Sequence, residues 1–277
     1  MLAFSCGLWD NLLWTKYTRL AMDLKDSPVQ FQAPVRREQT AAFSPLYQQI
    51  RRLLLQALEN GEWKPGEMIP SEFDLAKRFH VSQGTVRKAI DELAGEHILI
   101  RRQGKGTFVA THREPVVRFR FLRLAPSDGE AVPAESEILW CRKIRANAEA
   151  AAALDLRSGD GLVYIRRLLR FRGKPTVVDD IYLTAALFKG LSMSLLTENQ
   201  GPLYGFFEAR FGISMVRADE RLRAVPAAQD IATLLQIQVD QPLLRVDRVS
   251  YTYGDRAVEL RYGHYLTDQY FYRNTLM

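Results

Sequence analysis

Between Pro70 and Val109 the chain reads PSEFDLAKRFHVSQGTVRKAIDELAGEHILIRRQGKGTFV. Ser71 and Asp74 have the spacing of a capping box, and Leu75, Ala76 and Phe79 form the apolar side of a short helix behind it. Phe79-His80-Val81 leaves room only for a tight connection before Ser82, a second cap residue. The next helix turns Val86, Ala89, Ile90 and Leu93 inward. Two short helices so closely joined predict a helix-turn-helix. Ile98-Leu99-Ile100 and Thr107-Phe108-Val109 then read as two strands around a Gln103-Gly104-Lys105-Gly106 tip, with Arg101 and Arg102 at its base. A basic hairpin placed there is a wing. From Ser82 to Thr107 there are five Lys/Arg against three Asp/Glu, a surplus concentrated where a polyanion would lie.

Upstream, Leu46, Ile50, Leu53, Leu54, Ala57 and Leu58 recur at helical spacing. Ser44 is a candidate cap, Pro45 suits the first helical position and Gly61 can end the helix. The exposed start of the helix after Ser82 carries Gln83, Gly84, Thr85, Arg87 and Lys88. Gln83 can pair bidentately with adenine, and Arg87 suits guanine or a phosphate. A solvated polar helix face is the competing reading, and the wing weighs against it.

The runs PGEMIPSEFDLA, VSQGTVRKAIDEL and RRQGKGTFV resemble the GntR family of bacterial regulators across about residues 44–109. The resemblance implies that Glu72, Thr85, Arg87 and Gly106 lie at or near DNA. The DNA-facing set is therefore Ser71, Glu72, Ser82, Gln83, Gly84, Thr85, Arg87, Lys88, Arg101, Arg102, Gln103, Gly104, Lys105, Gly106 and Thr107. Phe73 and Gln83 stand where many members carry arginine, so an operator consensus does not transfer.

At 277 residues the chain has room for two domains. Residues 43–112 are read as the winged helix-turn-helix, Arg113-Glu114-Pro115 as a linker and residues 113–277 as a second domain. That domain contains an internal echo. Leu154, Leu156, Leu162, Val163, Ile165, Arg167 and Gly173 recur 81 residues later as Leu235, Ile237, Leu243, Leu244, Val246, Arg248 and Gly254. Each copy reads helix, strand, glycine turn, strand, which predicts an antiparallel sheet with packed helices and an α+β architecture.

This arrangement resembles the UTRA effector domain of the HutC subfamily, which shares its fold with chorismate lyase. The resemblance implies a homodimer, a double-stranded DNA operator and a small-molecule effector bearing carboxylate or phosphate. Arg167 falls on the first anion-binding arginine of the family's R-x-R pair. Leu169 breaks that pair, and Gly201-Pro202 stands near a phosphate-holding serine of some members. Glu259 and Tyr265 match an acidic and an aromatic family position, and Arg217 is a further candidate donor. A carboxylate fits these losses better than a phosphate dianion, which wants several charge-assisted donors. The competing readings are an Arg167–Glu259 pair on the sheet and a merely solvated Arg217.

No cofactor or metal is expected, since His80, His97, His112 and His264 lack ligand spacing. Cys6 and Cys141 read as inert thiols rather than a redox switch. Asp179 and Asp180 would face opposite sides of a strand, and no catalytic set is visible, so an enzyme is not expected. The net charge of +6 is compatible with DNA, and no apolar run is long enough to span a bilayer; the expected location is the cytoplasm, at the nucleoid. Residues 1–42 read as a disordered extension, or as sequence upstream of an internal start at Met22. The whole describes a ligand-controlled transcriptional repressor on a palindromic operator.

Overall fold

The structure, a computed structural model, describes residues 44–112, 121–130 and 133–274. The expectations for residues 1–42, Cys6 and the linker at 113–115 lie outside them.

Helix α1 (Leu46–Glu59) buries Ile50, Leu54, Ala57 and Leu58. Pro45 occupies the cap position, one residue later than the sequence suggests, and Ser44 accepts a hydrogen bond from the Arg52 side chain instead of capping. Leu46 and Leu53 remain exposed, because the stripe through Ile50, Leu54, Ala57 and Leu58 already covers the buried face. Helices α2 (Glu72–Phe79) and α3 (Gln83–Gly95) begin as predicted. Ser71 Oγ accepts from the Asp74 N–H and Ser82 Oγ from the Thr85 N–H, each at 3.2 Å. His80, at φ +54°, makes the left-handed turn between them. Strands β1 (Leu99–Arg102) and β2 (Gly106–Val109) pair from Leu99↔Val109 to Arg102↔Gly106, leaving Gln103, Gly104 and Lys105 at the tip. Leu75, Val86, Ala89, Ile90 and Leu93 join the buried face of α1 in one core.

Downstream come β3 (Leu124–Pro126), β4 (Glu135–Arg145), α4 (Ala148–Ala153), β5 (Gly161–Phe171) and β6 (Lys174–Thr184). Then follow α5 (Met193–Glu198), α6 (Leu203–Phe211), β7 (Arg217–Pro226), α7 (Gln229–Leu235), β8 (Pro242–Tyr251), β9 (Ala257–Tyr265) and β10 (Tyr270–Tyr272). Six strands form one antiparallel sheet in the order β4-β5-β6-β9-β8-β7. The 81-residue echo is thus a duplicated unit, β4-α4-β5-β6 and β7-α7-β8-β9, and the two copies meet at the β6–β9 seam. Each unit opens with a strand that the sequence pattern left out, since the mostly polar β7 and half-exposed β4 carry little apolar alternation. Arg172-Gly173 and Gly254-Asp255 make the hairpin turns with all four residues at positive φ.

Residues of β5 and β6 alternate between two cores. Val163, Ile165, Ile181 and Leu183 pack with Phe188, Leu196 and Phe207 under α5 and α6, whereas Leu168 and Val178 pack with Ile231, Ala232 and Leu235 of α7. The half-buried Cys141 sits against the first of these, and burial pushes its thiol upward, away from the reactive thiolate. No helix among the described residues is long and apolar enough to cross a membrane.

Candidate nucleic-acid interface and effector cavity

Three elements converge on one carboxylate. Glu72, at the start of α2, accepts from Arg87 Nε of α3 at 2.9 Å and from Gln83 Nε2 at 3.4 Å. Its other oxygen is 3.0 Å from Arg101 Nη2 of the wing, which also reaches Asp91 at 2.7 Å. Burial opposes ionisation of Glu72, but the bond from Arg87 and the charges of Arg87 and Arg101 outweigh it, so the carboxyl sits below its ordinary range. The network holds the start of α3 and the base of the wing in one register. Sequence spacing does not reveal it, because Glu72, Arg87 and Arg101 are brought together only by the tertiary turn.

Gln83, Gly84, Arg87, Arg101, Arg102, Gln103, Gly104, Lys105 and Gly106 are exposed, with Thr85 and Thr107 half-buried beside them. Ser71 and Ser82 are exposed and serve as caps. Lys88 turns aside, its ammonium 3.9 Å from the centre of the Tyr47 ring, and the Arg102 guanidinium lies over Phe108. Phe73 is exposed, with the Lys77 ammonium over its ring at 4.1 Å.

In the second half, a cavity of about 610 Å³ opens between the β4–β5 end of the sheet and the α5–α6 connection. Arg167, Arg248, Arg261, Tyr204, Tyr265 and Leu169 contribute to its wall, and the exposed Glu135 and Glu137 also line it. Cross-strand register explains how two of the three arginines are held. Arg167 opposes Asp179 and is paired with it, and Arg248 opposes Glu220 and bonds to it through Nε at 2.6 Å. Arg248 also stands directly across from Arg261, a like-charge pair that is costly unless compensated. Arg261 donates to Glu259 at 2.9 and 3.1 Å and to Asp179 at 3.3 Å. Arg167, Arg248 and Arg261 line the cavity, whereas Asp179, Glu220 and Glu259, which pair with them, do not. Burial opposes ionisation of Asp179, yet Arg167 and Arg261 more than compensate and hold its carboxyl low. Burial pushes Tyr265 up to about 12, so it stays a neutral donor at physiological pH.

Arg167 and Tyr265, both expected from the sequence, therefore meet on the wall. Glu259 is wholly buried behind it, accepting from Tyr204 Oη at 2.6 Å and from Ser250 at 3.3 Å. Arg167 pairs with Asp179 and Glu259 with Arg261, so the alternative of an Arg167–Glu259 pair does not occur. Arg217 lies off the cavity, bonded to Asp219 at 2.6 Å and Asp255 at 3.0 Å and stacked on Tyr251. Arg248, Arg261 and Tyr204 were missed. Arg248 was legible as the echo partner of Arg167; the other two carry no local signal.

Gly263 makes this packing possible. A Cβ there would lie 2.4 Å from Tyr265 Cε2 and 3.0 Å from Asp179 Oδ1, an oxygen that is buried without a hydrogen-bond partner. Gly263→Ala is expected to displace Tyr265 and cost about 1–3 kcal/mol, the usual range for overpacking. Urea denaturation reads the loss, and a change within 0.5 kcal/mol contradicts this account.

Residues 46–109 match the family model described as bacterial regulatory proteins, gntR family, and residues 130–270 match the UTRA domain. The mannosyl-D-glycerate transport/metabolism system repressor of Escherichia coli is 27% identical over 230 residues, covering 82% of this chain and 93% of the relative. The histidine utilization repressor of Pseudomonas putida is 27% identical over 206 residues, covering 74% of this chain and 82% of the relative. Among solved structures, the ligand-binding domain of a GntR-family transcriptional regulator from Bordetella bronchiseptica is 58% identical. It covers 57% of this chain and 98% of its own length, with a TM-score of 0.56.

Proposed function

Because the chain belongs to the GntR family of bacterial transcriptional regulators, in the branch that carries a UTRA domain, we propose that it is a repressor whose grip on a palindromic operator is released by a small anionic metabolite. The similar repressors are regulators of transcription, not enzymes, and the chain is of their kind. The observation that carries the finer reading is the wall of the 610 Å³ cavity, which Arg167, Arg248 and Arg261 line while their carboxylate partners do not. Such a wall favours a small anion, and the neutral Tyr265 hydroxyl adds a donor. By resemblance to the family, Leu169 and Gly201-Pro202 stand where some members place further anion donors, which supports a carboxylate. A homodimer presenting two copies of the Glu72-centred surface matches an operator of two symmetric half-sites. DNA release follows if the metabolite binds one arrangement of the halves better than the other.

The test combines mobility shift on duplex fragments from upstream of its own gene with thermal unfolding against carboxylated and phosphorylated metabolites, urocanate and amino-sugar phosphates included. A carboxylate present at a hundred times its Kd is expected to stabilise the protein by about 2.7 kcal/mol and to loosen the operator complex. Absence of salt-sensitive affinity for any such duplex would overturn the reading.

A further inference from the structure

One buried carboxylate ties the cavity side of the molecule to the end of the wing. Glu208, in the second turn of α6, accepts the Thr111 hydroxyl on Oε1. Its Oε2 accepts the His112 backbone N–H at 3.2 Å and the Ser214 hydroxyl at 3.1 Å. His112, 3% exposed, accepts the Met215 N–H through Nε2 at 3.2 Å. Thr111 and His112 follow β2 after a single intervening residue, so Glu208 grips the chain where it leaves the wing.

The same helix reaches the cavity. Tyr204, one turn before Glu208 and so on the same helix face, contributes to the cavity wall. Its hydroxyl donates to Glu259, which Arg261 also holds, and its ring stands edge-on to His112 with centroids 5.5 Å apart. Arg248, also on the wall, donates to the Phe121 carbonyl, and the Phe121 ring packs on both Tyr204 and His112. An unbroken series of buried polar and ring contacts therefore runs from Arg261 through Glu259, Tyr204 and α6 to the residues behind β2.

We propose that Glu208 is a positioning residue of the effector response, passing displacement of α6 by a cavity occupant to the end of the wing. The inference rests on the reading of the cavity as an effector site and of the Glu72-centred surface as a DNA interface. Three donors converge on two buried oxygens, and leaving any of those groups unsatisfied is costly. Thr111 and His112 must therefore move with α6 rather than slide past it. Glu208 does not line the cavity and is not one of the DNA-facing residues, so it acts through what it holds.

A double-mutant cycle in the full-length protein tests this without an identified effector. Tyr204→Phe deletes the hydroxyl that ties α6 to Glu259 and keeps the ring. Glu208→Gln keeps the shape but removes the charge and one acceptor. The two hydroxyls must then share the remaining oxygen or reverse to accept, and the charge-assisted bonds that hold the junction weaken to neutral ones. With Glu208 present, Tyr204→Phe is expected to change operator Kd by about fivefold or more, the lower end of measured couplings. In the Glu208→Gln background the same change should shrink below about twofold. Amide exchange at His112 and Met215 should rise in Glu208→Gln, marking release of the junction. Should Glu208→Gln fail to fold, Thr111→Val removes a single donor at similar volume and is expected to reduce the coupling in the same direction. An equal effect of Tyr204→Phe in both backgrounds, or no effect with Glu208 present, overturns the proposal. A wild-type protein with no salt-sensitive duplex affinity instead removes the regulator reading, a separate outcome.

Discussion

Arg261→Met is expected to destabilise the carboxy-terminal half by about 3–5 kcal/mol, the cost of breaking a buried ion pair from one side. Methionine replaces the aliphatic stem but none of the donors. Glu259, with no exposure at all, would keep only the Tyr204 and Ser250 hydroxyls, and Asp179 would keep only Arg167. The penalty comes from stranding charge in a low-dielectric site rather than from the intrinsic strength of the pair. For a domain of this size the melting temperature should fall by roughly 10 °C. Glu259→Gln added to Arg261→Met should recover part of the loss, since the stranded charge is then gone.

The pH dependence has a definite sign. Asp179 is held below its ordinary value in the folded wild type, so it contributes stability above the unfolded carboxyl pKa, and this is lost as pH falls through the lower folded value. Removing Arg261 takes away one of the charges that hold it down. Protonation then relieves the strain more readily, and the deficit of the variant should shrink between pH 7 and pH 5. Urea denaturation at the two pH values decides it: an equal deficit at both, or a loss under 1 kcal/mol, is incompatible with a stranded buried charge.

Arg87→Ala is expected to abolish operator retardation at protein concentrations that saturate the wild type, a loss of about tenfold to a hundredfold in affinity. Arg87 is exposed on the first turns of α3 yet pinned through Nε by Glu72, which fixes the direction of its remaining donors. Alanine deletes those donors and also leaves Glu72 with less counter-charge on the surface proposed to meet phosphates. The dependence of log K on log salt should become shallower by about one phosphate contact. Lys88→Ala is the internal comparison, because its ammonium lies over Tyr47 and should cost less. Melting-temperature shifts caused by metabolites should match the wild type, since Arg87 is not on the cavity wall. Operator affinity retained at physiological salt would remove Arg87 from the interface.

The elements of the amino-terminal half were legible because their signals are local. The Ser71 and Ser82 caps, the tight connection through Phe79-His80-Val81 and the glycine tip each act within four residues, and the inward stripe of α3 follows from helical geometry. The duplication in the second half was equally visible, since an 81-residue offset in apolar and glycine positions is a property of the chain itself. Those patterns determined a winged helix-turn-helix followed by a repeated α+β unit. Tertiary structure alone decided which charges meet. Glu72 finds Arg87 and Arg101 across a turn and a hairpin, and Arg261 finds Asp179 across the β6–β9 seam. Arg217 lies off the cavity, held by Asp219 two residues along β7 and by Asp255 at a distant turn. Capping and periodicity are written in neighbouring residues, whereas the partner of a buried charge is set by strand register and by which face of the sheet the side chain enters.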